Sequence, residues 1–304
     1  MSDSTSIRRR DFFSRSAALA AGLALAPRLS PRTLGAEPAE ATWQIGCFTR
    51  PFGQFEFAAA LDGIAEAGYG YVGLMSIVLP GGAVSLPNLT EEQAAEIGDM
   101  IRERGLKTVS TYYGGPPVGQ SLAAGIEHMR KLIDNCRAAG CASILAGGTA
   151  REDHYDDYYQ AIAECCDYAA ECGVSIALKP HGGLNATGPQ CRAAVERVGH
   201  ENFTIWYDPG NIYYYSEGEL DPVDDAPTVD GLVTGMCVKD YQHPREVAVN
   251  PGSGQVDFPE LIARLRAGGL TGGPLVVETL APGDLPTTIA NARTARRFLE
   301  ELVA

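Results

Sequence analysis

Four apolar runs in the second half of the chain each stop at a residue able to do chemistry. They read Ala177-Leu178-Lys179-Pro180-His181, Trp206-Tyr207-Asp208-Pro209-Gly210-Asn211, Cys237-Val238-Lys239-Asp240 and Val276-Val277-Glu278-Thr279. Two ammoniums, three carboxylates and an imidazole at matching places on successive segments are the parts of a site that moves protons or holds a cation. Glu278 closes an apolar run, and a carboxylate left there without a partner would be costly. Asp208 before Pro-Gly-Asn is also a good turn initiator, and Lys239 with Asp240 can be read as an ion pair at the rim. Arg50 and Phe52 follow an earlier apolar run. Tyr213-Tyr214-Tyr215 follows Asn211 and offers aromatic faces, Tyr214 among them, on which a sugar can stack.

These residues need a scaffold, and the rest of the chain predicts one. β-type runs are expected at residues 42–47, 71–75, 108–112, 143–146, 175–179, 204–207, 236–240 and 275–279. They are short and nearly all apolar, as strands buried on both faces are. Helical periodicity fills the intervals at 57–67, 91–104, 122–139, 155–171, 189–198, 222–232, 258–267 and 286–302. Thr90 with Gln93 fits a capping box. Gly68, Gly105, Gly140 and Gly173 follow helices, where a left-handed residue is expected. Alternating β and α segments predict a parallel sheet. Eight repeats within one domain's length predict that it closes, giving an α/β fold of the (β/α)₈ TIM-barrel type. No G-x-G-x-x-G follows the first strand, which argues against a dinucleotide-binding sheet. In a barrel the catalytic residues stand at the C-terminal ends of the strands, which is where the four runs stop.

Composition sets limits. The chain has 304 residues, 45% hydrophobic and 20% charged, with a formal net charge of −14. That charge opposes binding to nucleic acid, whose phosphates need a basic face. The eight cysteines include no CxxC pair and read as small core residues, not as a zinc site or a disulfide framework. Residues 1–41 read as a leader. Arg9-Arg10-Asp11-Phe12-Phe13 resembles a twin-arginine signal and precedes the apolar run 17–26. That run is too short for a permanent membrane span. The expectation is therefore an exported, periplasmic protein, folded before export, whose single domain occupies residues 42–304.

At the motif level the chain resembles the xylose isomerase-like sugar phosphate isomerase/epimerase family. The resemblance rests on Asp208-Pro209-Gly210-Asn211, Val238-Lys239-Asp240, the loop Gly252-Ser253-Gly254-Gln255-Val256-Asp257-Phe258, and Pro274-Leu275-Val276-Val277-Glu278-Thr279. It implies a small-molecule sugar substrate, a proton moved beside the carbonyl through an enediolate, and a divalent metal (Zn, Mn or Mg) held by residues of strands five to eight. Asp208 and Glu278 stand at two of those ligand positions. Lys179 stands at the position of the strand-five Glu, Cys237 at that of the strand-seven His, Asn211 at that of a substrate-binding His, and Gly73 at that of a frequent Glu after strand two.

Three readings follow. A rearranged metal site would use His181, Asp208 and Glu278, with or without Cys237. Alternatively, Lys179 takes the metal's place, pairing with Asp208 and Glu278 as a fixed cation, or serves as a base of lowered pKa. In the third reading the barrel binds a sugar without turning it over. For the catalytic readings the expected residues are Lys179, Lys239 and Glu278, with His181, Asn211, Arg50 and Tyr214 against the substrate. A keto-sugar lyase or hydratase needs the same proton abstraction and is the neighbouring possibility.

Overall fold

A computed structural model describes residues 43–304; the expected twin-arginine signal lies outside them. The eight barrel strands are β1 (Trp43–Phe48), β2 (Tyr71–Leu74), β3 (Lys107–Tyr113), β4 (Ser143–Ala146), β5 (Ser175–Leu178), β6 (Phe203–Tyr207), β7 (Val233–Val238) and β8 (Gly273–Val277). Each pairs in parallel with the next, and β8 returns to β1 through the register Trp43↔Gly273 to Cys47↔Val277. The TIM barrel expected from the alternating pattern is the observed fold.

The helices are α1 (Phe57–Glu66), α2 (Glu91–Arg102), α3 (Leu122–Ala139), α4 (Tyr155–Glu171), α5 (Gly188–Val198), α6 (Pro209–Tyr215), α7 (Pro222–Asp225), α8 (Phe258–Ala267) and α9 (Leu285–Val303). The Thr90–Gln93 capping box is present with both of its bonds. The four helix-ending glycines all have positive φ. The helix expected over 222–232 is cut short: α7 ends at Asp225 and continues as a 3₁₀ turn, Ala226–Val229. Pro227 explains this, because it removes a backbone donor and crowds the preceding turn. Two further pieces were not foreseen. They are the short helix α6 and a small antiparallel hairpin, Ile77–Leu79 with Gly82–Val84. No helix among the described residues is long and apolar enough to cross a membrane.

The core has two layers. The outer one lies between strands and helices. The inner one fills the barrel with Phe48, Val109, Leu145, Ala177, Trp206, Cys237 and Val276. This inner layer positions the site, because side chains along a strand alternate between faces. The residues two steps beyond Ala177, Trp206, Cys237 and Val276 therefore continue up the axis. They are Lys179, Asp208, Lys239 and Glu278, while Arg50 follows β1 in the 3₁₀ turn Arg50–Phe52. All eight cysteines are free, and all but Cys172 are buried, as expected of small core residues.

Gly73 also belongs to this layer. A Cβ there would run into the Phe48 ring, and the β2–β3 register slips between Val72 and Gly73. Phe48 thus takes the volume a larger side chain at 73 would need. Replacing Gly73 with Ala should lower stability by about 1–3 kcal/mol through overpacking. Urea unfolding measures it, and an unchanged midpoint would show that Phe48 moves aside freely.

Candidate active site

At the mouth of the barrel two ammoniums and two carboxylates close into a ring. Lys179 Nζ donates to Asp208 Oδ2 at 2.9 Å and to Glu278 Oε2 at 2.5 Å. Lys239 Nζ lies 3.1 Å from Asp208 Oδ2 and 2.6 Å from Glu278 Oε1. All four side chains are sealed from solvent, with exposures of 3% or less. Arg50 reaches in from the end of β1 and donates through Nη1 to Glu278 Oε1 at 2.7 Å. Its side chain stays 45% exposed.

Local sequence explains each placement. Asp208 is the N-cap of α6: Oδ1 accepts from the Asn211 N–H at 3.0 Å, leaving Oδ2 for the ammoniums. Pro209 follows at the first helical position, where it costs no backbone bond. Gly210 packs so closely on the Lys239 and Asp240 carbonyls that a Cβ would collide with them. Asn211 donates through Nδ2 to the Pro180 carbonyl at 2.6 Å and accepts from Lys239 Nζ at 2.9 Å. Its amide therefore joins the β5 and β7 ends and is engaged within the protein. Thr49 Oγ1 accepts from the Met75 and Ser76 N–H groups, tying the β1 end to β2 just before Arg50.

Lys239 and Asp240 do not pair with each other. As strand neighbours they point to opposite sides. Asp240 instead accepts backbone N–H bonds from Tyr241, Gly252, Gly254 and Val256. The Gly252–Phe258 motif is thus the loop that Asp240 gathers.

Burial works against the Lys179 charge, but Asp208 and Glu278 more than offset it and hold its pKa well above the ordinary lysine value. That direction runs against the reading of Lys179 as a base of lowered pKa. Burial likewise opposes ionisation of Glu278, yet Lys179 and Lys239 hold its carboxyl well below the usual range. His181 goes the other way: burial, then Lys179 and Lys239, lower its pKa to about 4. It is therefore a neutral imidazole at pH 7. Tyr112 Oη lies 3.4 Å from His181 Nε2, and Lys179 Nζ sits 5.6 Å from the Tyr112 ring centre. Tyr215 flanks His181 on the other side, with ring centres 5.7 Å apart.

The expected charged residues thus meet in one place. Tyr214 is turned aside, against Arg245 and the edge of Tyr215. The sequence reading did not single out Tyr112, and it named Tyr214 where the structure sets Tyr215 beside His181. The strand-end rule that found Lys179 would have found Tyr112 too, had uncharged residues been admitted.

A divalent ion fits this donor set poorly. Ligand atoms of Asp208, Cys237 and Glu278 do lie within 4.8 Å of one another; His181 is not among them. But the carboxylate oxygens a metal would take already hold two ammoniums, and a dication there would face both at close range. Burial raises the pKa of the Cys237 thiol well above the ordinary value.

The chain belongs to the xylose isomerase-like TIM barrel family, whose model matches residues 61–302. No curated protein sequence matches it. Among solved structures it is similar to a D-psicose 3-epimerase crystallised with D-fructose (14% identity, TM-score 0.68, 86% of this chain and 99% of the other). It is also similar to an L-ribulose 3-epimerase (17%, 0.66, 86% and 95%). A D-allulose 3-epimerase from Methylomonas sp. is comparable (19%, 0.66, 86% and 98%). At these identities the likeness is one of fold.

Two predictions follow from the charges. The His181 imidazole should remain neutral at about pH 5.5, well below the usual histidine value. The folded state resists its protonation, so it favours stability above pH 6.5, and that contribution is lost as pH falls towards 4. Nitrogen chemical shifts of the ring test this; an ordinary midpoint near 6.5 would refute it. Lys179→Met should cost about 3 kcal/mol or more, because it leaves two buried carboxylates with fewer partners. The double variant Lys179→Met/Glu278→Gln should cost less than the sum of the two singles by about 1 kcal/mol or more. Additive costs in urea unfolding would mean the ring is not coupled.

Proposed function

We propose that the protein is a sugar isomerase- or epimerase-like enzyme that moves a proton beside a sugar carbonyl, with the Lys179 ammonium as its electrophile in place of a divalent ion. The observation that carries this reading is the state of Lys179. It is buried, protonated and held by two carboxylates. It makes two bonds of the three an ammonium can donate, so one N–H is not committed to a carboxylate. A fixed donor in a dry site stabilises a developing oxyanion without reorganisation.

In this reading His181 takes the proton from the carbon beside the carbonyl. It is neutral at pH 7, half-buried, and adjacent to Lys179 through Tyr112. Glu278 is a poor choice for that role, because both its oxygens are bound by cations and its carboxyl is held well below the usual range. Glu278 and Asp208 instead keep the ammoniums charged and aimed. Lys239 donates to Asp208 and Asn211 and pairs with Glu278 at 2.6 Å; it adds positive charge against the enediolate. Arg50 lies nearest the solvent and meets the substrate first. The fold supports the reading by placing the ring at the C-terminal ends of the strands and by its likeness to solved sugar 3-epimerases. A lyase or hydratase acting on keto-sugars would begin with the same abstraction, and product analysis separates the two.

Hydrogen exchange from solvent deuterium into a panel of ketoses and aldoses is the test. Lys179→Met should lower the exchange rate about 10²–10³-fold, the usual loss of one oxyanion donor. His181→Ala should lower it by about 10²–10⁴-fold. Exchange should survive chelator, and elemental analysis should find no stoichiometric metal. One equivalent of metal, with activity lost on its removal, would overturn the lysine electrophile. A silent sugar-binding barrel is the second reading, favoured by how many polar atoms of the ring are spent on each other. Sugar binding without any deuterium incorporation would establish it.

A further inference from the structure

The ring carries an unmatched charge. Arg50, Lys179 and Lys239 supply three positive charges, while Asp208 and Glu278 supply two negative ones. The surplus sits at Arg50, the only member open to solvent. Only Nη1 of its guanidinium is engaged, with Glu278. Nε and Nη2 bond to nothing among the described residues. That free edge is the one an arginine uses to hold a carboxylate with two parallel bonds.

Beside Arg50 lies a cavity of about 280 Å³ between the loops that follow β1, β7 and β8, lined also by Gln54, Val247, Glu278 and Thr279. Thr279 provides an independent sign of a missing ligand. Its residue is 5% exposed, and its Oγ1 is buried without a hydrogen-bond partner. An unsatisfied buried hydroxyl costs about 1–3 kcal/mol, and Thr279 is among the residues that line the cavity. A guanidinium edge and an orphaned hydroxyl on one small cavity, next to the electrophile, form a subsite for an anion.

We infer that the substrate is a carboxylated sugar, a uronic or related sugar acid, whose carboxylate docks on Arg50 and Thr279 while its carbonyl reaches Lys179. This deepens the proposed function and rests on it for the carbonyl, though not for the carboxylate. The charge count favours a carboxylate over a phosphate, since one surplus positive charge neutralises a monoanion and leaves a phosphate dianion in excess.

Calorimetric binding of matched pairs to the full chain tests this, using D-glucuronate against D-glucose, D-fructuronate against D-fructose, and D-glucose 6-phosphate as the competing anion. The acids should bind about tenfold or more tightly than their neutral parents, and the difference should shrink with salt. Arg50→Met should erase the difference between each acid and its neutral parent. Thr279→Val should weaken acid binding with the melting temperature held or raised, because it removes an unsatisfied hydroxyl; this separates lost binding from lost folding. Equal binding of acid and neutral sugar would overturn the inference. So would a preference that survives Arg50→Met, tighter binding of the phosphate, or no acid binding at millimolar concentration. The proposed reaction fails separately: acids that bind without deuterium exchange sink the enzyme reading and leave the subsite, whereas exchange into neutral sugars with no acid preference does the reverse.

Discussion

Four charges buried at one end of a barrel can persist only if each is neutralised where it stands. Moving an ammonium or carboxylate out of water costs several kcal/mol even after relaxation. The ring formed by Lys179, Asp208, Lys239 and Glu278 meets that condition by alternation, since every cation touches two anions and every anion two cations. Much of the surrounding architecture serves this arrangement. Asp208 must be an N-cap so that one oxygen is fixed and the other free. Gly210 must lack a side chain so that α6 can approach β7. Asn211 must span from the β5 end to Lys239. Removing any of these leaves a buried charge poorly compensated, so the ring constrains the loops more than the loops constrain the ring.

The same alternation separates roles that adjacent residues would otherwise blur. Lys239 and Asp240 are neighbours in sequence, yet one enters the ring and the other anchors a loop through four backbone N–H groups. The strand's two-residue period makes the division. It also explains how the charges of the barrel layer and the shape of the mouth are set by different members of a single dipeptide, with no conflict between them.

Much of this was legible beforehand because it depends on local pattern. Apolar runs, capping residues and glycine stops gave eight strands and most helix limits, and the charged residues ending four runs marked the site. What was not legible depends on partners distant in sequence. The Lys239–Asp240 pair looked reasonable in one dimension and fails because the two side chains face opposite ways. The helix over 222–232 ignored Pro227. The hairpin at Ile77–Val84 is built from three-residue strands, too short for a periodic signal. Tyr112 carries no charge and was passed over, although it lies between His181 and Lys179. A lysine at a ligand position was visible as a substitution at Lys179, but only the closeness of two lysines to both carboxylates shows how they pair there.

A cation that belongs to the polypeptide differs from a bound ion in its supply. It arrives with translation, in fixed stoichiometry, and it cannot dissociate, be sequestered by a competing chelator or be replaced by the wrong element. Under the proposed lysine electrophile, folding and charging of the site would be one event, with no separate uptake step. The cost is adaptability. A metal site can be retuned by exchanging ions, whereas here a change in the strength or placement of the positive charge requires a change in the gene.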